Sequence, residues 1–342
     1  MFGFLGLLGA IMAGFMVDAL TTPAGEQAPD DHVDDTPEGA STGDLLDDPG
    51  TANTPDAGMP VSDDSPDAAD LDEVQQGDDG NDILASHGGD DTLAGAAGND
   101  QLGGRGGADD LHGGGGVDWL YGGEGADSLA GDGGVDDLHG DAGADSLWGG
   151  DGRDSLSGDG GRDWLAGGAG DDSLTGGEGD DSLQGSAGND AVQGGVGSDL
   201  VIGGTGSDTL DGNDGNDTIW GDEAGVDDDG GHFHDVNFMN GGTGNDVLHV
   251  DAGDYASGGD GADQFAVHDI AHGDRVAQIM DFNKDEDSLV LIYDPSHHAD
   301  PQITVSSEAG SPDATVMLDG VPVAQVMGGA GLVAADVILQ AA

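Results

Sequence analysis

From Gly77 to Trp220 a nine-residue unit repeats in unbroken phase for sixteen copies. Its fourth residue is always Gly, its sixth always Asp and its eighth always aliphatic, and Gly opens every copy except the one that starts at Ser86. Glycine supplies the positive φ that a tight turn needs, so positions one to six read as a turn and seven to nine as a three-residue strand. Side chains alternate along a strand. Position eight therefore faces inward, and positions seven and nine face out. Two units close one turn of a coil, so the expected fold class is all-β: a right-handed parallel β-roll, or β-solenoid. Eight such turns rise roughly 38 Å at about 4.8 Å each.

The rest of the chain divides around this block. Residues 1–17 carry no charge and reach the lower limit for a membrane-spanning helix. They read as a candidate membrane tether or an atypical signal segment. Residues 18–76 are rich in Pro, Asp and Thr, contain no Lys or Arg, and read as a disordered acidic linker. An insertion at 221–240 breaks the phase. The pattern then returns as GGTGNDVLH at 241–249, slips by one residue, and closes with GGDGADQFA at 258–266. Residues 267–342 lose the glycines and read as a small β cap, with Asp319-Gly320 suited to a type I′ hairpin turn.

Charge decides what such a coil needs. The 342 residues include 71 acids against five Lys and Arg, a net charge of −66. Nucleic acid and anionic membrane surfaces are excluded as partners, because like charges repel. With no cysteine there is neither a disulfide nor a thiolate metal site. One buried aliphatic side chain per copy contributes about 1.5–3 kcal/mol, well short of the backbone entropy of nine ordered residues. Sixth-position aspartates on the same side of successive turns repel by roughly 3–4 kcal/mol per pair at an effective dielectric of 20. A hard cation between turns reverses that sign. Calcium accepts six to eight carboxylate and carbonyl oxygens in flexible geometry, whereas sulfur and imidazole, which would favour zinc or copper, are absent from the repeated positions. The candidate calcium ligands are Asp82, Asp91, Asp100, Asp109, Asp118, Asp127, Asp136, Asp145, Asp154, Asp163, Asp172, Asp181, Asp190, Asp199, Asp208 and Asp217, with Asp246 and Asp263 after the insertion. Pairing each in-phase copy with the one two ahead allows about fourteen sites.

GGEGADSLA at 122–130 and its neighbours match the pattern G-G-x-G-x-D-x-U-x. Over 77–266 the chain resembles the hemolysin-type, or RTX, calcium-binding family. That resemblance implies a calcium-filled parallel β-roll with sixth-position carboxylates and loop carbonyls as ligands. It also implies an extracellular or cell-surface protein of a Gram-negative bacterium, exported by type I machinery that reads a C-terminal signal. DVILQAA at 336–342 is similar to the family's Asp-plus-aliphatic ending, and QIMDFNKDEDSLVLI at 278–292 resembles the cap of serralysin-like RTX proteins. Position two departs from the pattern, often holding Asp, Ala, Arg or Ser.

Other features carry less. Trp119 and Trp164 fall at position seven, Trp148 and Trp220 at position nine, all outward, with Trp148 and Trp164 one turn apart. They read as scattered surface aromatics or as a glycan or partner platform. His232 and His234, like His297 and His298, read as loop histidines. Arg105, Arg153 and Arg162 read as local relief of repulsion. H-E-x-x-H is absent, and Lys284 is the only lysine. The expected function is non-enzymatic: a calcium-binding protein that folds on binding the ion. The alternative is a secreted enzyme with its chemistry in the insertion or the cap.

Overall fold

A computed structural model describes residues 71–222, 235–268 and 275–342. All of these fall in one unit, Val61–Ala342. Residues 1–17, most of the linker, and His232 and His234 lie outside the described residues.

Among the described residues the chain winds into two sheets, one of thirteen strands and one of fourteen. Successive strands alternate between the sheets, so each strand pairs in parallel with the one two ahead. In the first sheet Ser128–Gly134, Ser146–Gly152 and Trp164–Ala169 stack with Leu129 beside Leu147 and Leu147 beside Leu165. In the second, Leu120, Leu138 and Leu156 align in the same way. The eighth-position side chains from Leu93 to Ile219 are all buried, and Leu84 in the outermost turn is partly so. The fold class is therefore the parallel β-solenoid expected from the repeat.

Three boundaries differ from the sequence reading. First, the strands are longer than three residues: Ser128–Gly134 runs through positions seven to nine into the next glycine turn, and Asp132 aligns with Gly150. The turns stack in register as well as the strands, which recovers hydrogen bonds that three-residue strands would leave open. Second, the coil begins inside the stretch expected to be linker, because Val74–Gln76 pairs with Thr92–Ala97. Third, the end of the insertion and much of the cap continue the coil. Met239, Ala256, Ile279 and Val326 extend the inner row of the second sheet, while Leu248, Phe265, Leu289 and Val337 extend that of the first. Only Ile303–Ser306, Ala314–Leu318 and Val321–Val326 form an antiparallel group. Its turn, Asp319-Gly320, has positive φ at both residues (51° and 86°), as a type I′ hairpin requires.

Glycine is indispensable at position four. A β-carbon on Gly143 (φ 158°) would run into the carbonyl of Gly125 in the preceding turn. Position two is more permissive. Gly there takes φ of 116° at Gly123 and 111° at Gly150, whereas Ala96, Asp132 and Asp141 settle at 87°, 70° and 68°. These are left-handed conformations that cost a side chain about 1–2 kcal/mol. In denaturant melts at fixed saturating calcium, Gly143→Ala is expected to destabilise the coil by at least about 2 kcal/mol. Ala96→Gly is expected to be neutral or stabilising by about 0.5 kcal/mol. Equal effects of the two would contradict the stacking geometry.

Candidate metal centre

Each sixth-position aspartate ends a glycine turn and immediately precedes a strand, so its side chain hangs in the turn. One carboxylate oxygen, Oδ1, accepts the backbone N–H of the aspartate one turn upstream. The distances are 2.8 Å from Asp109 N to Asp127, 2.8 Å from Asp127 N to Asp145 and 2.9 Å from Asp145 N to Asp163. The residues singled out from the repeat fall into two columns. Asp91, Asp109, Asp127, Asp145, Asp163, Asp181, Asp199, Asp217, Asp246 and Asp263 line one. Asp82, Asp100, Asp118, Asp136, Asp154, Asp172, Asp190 and Asp208 line the other. All are buried except Asp82, which is half-buried.

The second oxygen sets the chemistry. In every one of these residues except Asp82 and Asp263, Oδ2 is buried and has no hydrogen-bond partner. A carboxylate in that state is costly. Burial pushes the carboxyls of Asp136, Asp145, Asp208 and Asp217 up to about 7, and those of Asp109, Asp163, Asp172, Asp199 and Asp246 up to about 6. The ladder hydrogen bond opposes this rise in each case, and for most of them neighbouring carboxylates add to it.

The first-position glycine gives that oxygen its room. A β-carbon on Gly131 would lie 2.6 Å from Asp136 Oδ2 and 2.7 Å from the carbonyl oxygen of Gly149, one turn on. Carboxylate and carbonyl from successive turns thus converge on one small space. Among the described residues no group of three or more His, Asp or Glu side chains is placed to hold a metal ion by itself. The available donors are therefore single carboxylates combined with main-chain oxygens, an all-oxygen set that fits a hard cation such as calcium. Ser86, the one side chain at a first position, is fully buried, and its hydroxyl donates to the Gly104 carbonyl at 2.8 Å. It thereby occupies the space that glycine leaves open in other copies.

Three column members escaped the sequence reading. Asn237 accepts from Asp208 N (2.9 Å), Asp254 from Asn237 N (2.9 Å), and Asp287 from Asp263 N (3.1 Å). Each heads an Asx-x-aliphatic triplet (Asn-Phe-Met, Asp-Tyr-Ala, Asp-Ser-Leu) that keeps positions six to eight without the preceding glycines. That triplet is the signal that would have found them. At three of the four column ends Oδ2 is satisfied by the protein itself: Asp82 accepts from Asp78 N, Asp254 from Asp251 N and Asp287 from Asn283 N, while Asp91 at the fourth has no such partner. Those three cap the columns.

The remaining candidates lie elsewhere. Arg153 and Arg162 pair with Asp171 (3.1 Å) and Asp180 (3.0 Å), exposed fifth-position carboxylates outside the columns. Backbone N–H donation from Asn189 and Ser198, reinforced by these guanidinium groups, holds the two carboxyls below the usual range. His298 Nδ1 lies 2.6 Å from Asp319 Oδ2 and braces the hairpin turn.

The raised column pKa values give a pH dependence with a definite sign. A carboxyl whose folded pKa is about 7 rather than 3.8 binds its proton more tightly in the coil than in the unfolded chain. Its stabilising protonation is complete below about pH 4 and is lost as pH rises through about 7. In chelator, far-UV circular dichroism is thus expected to show more β-structure at pH 5 than at pH 8. A β-signal that grows with pH in chelator would contradict the burial of these carboxylates.

The model of the RTX calcium-binding nonapeptide repeat matches residues 70–224, through overlapping segments, and 235–265. No curated protein matches the chain. The matched stretches cover more than half of the sequence and coincide with the coil that carries the two aspartate columns; the chain belongs to the RTX calcium-binding repeat family.

Proposed function

We propose that this is a non-enzymatic, exported protein whose coil orders when calcium fills the aspartate columns. The Oδ2 atoms of Asp91 to Asp217 and of Asp246 supply the carboxylate ligands, and turn carbonyls supply the rest. The observation that carries this reading is the row of buried carboxylate oxygens without partners. A doubly charged ion beside each column replaces mutual repulsion with attraction and removes the desolvation cost. Extracellular calcium modules bind at about 10⁻⁴–10⁻³ M, so such a chain stays unfolded at cytosolic calcium and folds outside the cell. Family membership and the acidic composition support export. The type I route draws support from the C-terminal Asp-plus-aliphatic tail and from the likeness of 278–292 to serralysin-like caps. Residues 1–17, free of charge, suit a tether.

Calorimetric titration with parallel circular dichroism tests the proposal. β-Structure is expected to rise cooperatively with calcium, at a stoichiometry of many ions per chain. An unchanged spectrum between chelator and millimolar calcium would refute it. Asp145→Asn gives a sharper check, because Asn237 already shows that an amide keeps the ladder bond. This variant is expected to raise the calcium midpoint without lowering β-content in chelator, since it removes a buried charge. Ser86→Gly, which clears the occupied first position, is expected to leave calcium stoichiometry equal or higher. A lower value would show that the serine hydroxyl assists binding.

A further inference from the structure

Trp148 and Trp164 lie on neighbouring strands of the first sheet, at positions nine and seven, where Trp148 aligns with Ala166 and Trp164 with Ser146. Both face outward and remain 55% and 40% exposed. Their ring centroids are 6.5 Å apart and their planes are inclined by 62°. They wall a shallow cleft that Ala130 and Ser146 also line, together with Asp132 and Asp151. Small side chains line the cleft beside the indole pair, and the two carboxylates make it negative.

We propose that this cleft binds a quaternary ammonium group of the choline class. An indole face attracts a cation through its quadrupole, most strongly when the cation is weakly hydrated. The rings pack edge toward face, so the attraction comes from exposed indole face rather than from a gap between the rings, and their inclination denies a flat sugar ring a coplanar platform to stack on. Asp132 and Asp151 add charge complementarity and reject anions. The guanidinium groups of the neighbouring turns are engaged by Asp171 and Asp180. Calcium gains nothing from an indole and is matched by the oxygen columns instead, so the cleft and the columns take different cations. A soluble choline-type cation suits the cleft better than a phosphocholine lipid, whose phosphate would meet the same carboxylates.

The test uses the full chain in saturating calcium, with circular dichroism confirming the β-form first, so that a failure to fold is distinguished from a failure to bind. Indole fluorescence is titrated with choline and with its neutral isostere, 3,3-dimethylbutan-1-ol. Choline is expected to saturate the signal and to bind at least about fivefold more tightly than the alcohol. Trp148→Leu and Trp164→Leu abolish the response, Asp132→Asn and Asp151→Asn weaken it, and Trp119→Leu, on the other sheet, leaves it intact. Phosphatidylcholine vesicles leave the protein in the supernatant. Equal affinity for the two probes, or a choline response that survives Trp148→Leu, would overturn the proposal. So would saturation by a neutral disaccharide while choline stays silent, or sedimentation with the vesicles.

Discussion

Half of each buried aspartate does structural work and the other half lacks a partner. Oδ1 holds the backbone of the turn before it, while Oδ2 is buried beside a glycine with no protein donor in reach. A single such oxygen would be a local defect. Repeated once per turn along two columns, it becomes the constraint that governs the molecule, because the inner row of one aliphatic side chain per nine residues is too thin to hold the coil alone. A cation would satisfy every repeated oxygen at once, which is the physical ground for the calcium-coupled ordering proposed above.

Glycine makes that arrangement sterically attainable, in two different ways. At position four it lets successive turns approach until the carbonyl of one, as at Gly125, touches the α-carbon of the next, as at Gly143. At position one it leaves space for the carboxylate, which Ser86 fills with its own side chain. Position two also faces a carbonyl oxygen of the preceding turn, that of Arg105 across from Gly123, but residues with side chains there shift to φ of 70° at Asp132 and 68° at Asp141 at some strain. At position four the approach is closer, as at Gly143 against Gly125, and no residue other than glycine is found.

Much of this was legible beforehand, because a strict period converts directly into geometry. An eighth-position Leu must face in, sixth-position Asp must form columns, and residues eighteen apart must be neighbours, as Leu129 and Leu147 are. Asp319-Gly320 named its own turn type. The limits of the coil were harder to see, because the glycines signal the turn while the aspartate and the aliphatic residue signal the ladder. Where only the latter persist, at Asn237, Asp254 and Asp287, the coil continues under a sequence that looks like insertion or cap. At Val74–Gln76 neither signal persists, since Glu73 and Gln75 hold positions six and eight, and the strand is joined to the coil by pairing with Thr92–Ala97 and by Glu73 N donating to Asp91 Oδ1. Strand length was misjudged because in-register stacking of turns depends on their neighbours and leaves no mark within one unit.

The carboxylate ladder also has polarity. Each sixth-position Oδ1 in the ladder captures an amide one turn earlier in the chain, from Asp287 holding Asp263 back to Asp91 holding Glu73, whereas fifth-position side chains run the opposite way, as Asp171 holding Asn189 and Asp180 holding Ser198. The two ladders thus brace an interior turn from both sides: its sixth-position amide is held by the turn that follows and its fifth-position amide by the turn that precedes. A turn at either end of the stack loses one of these two sets of braces.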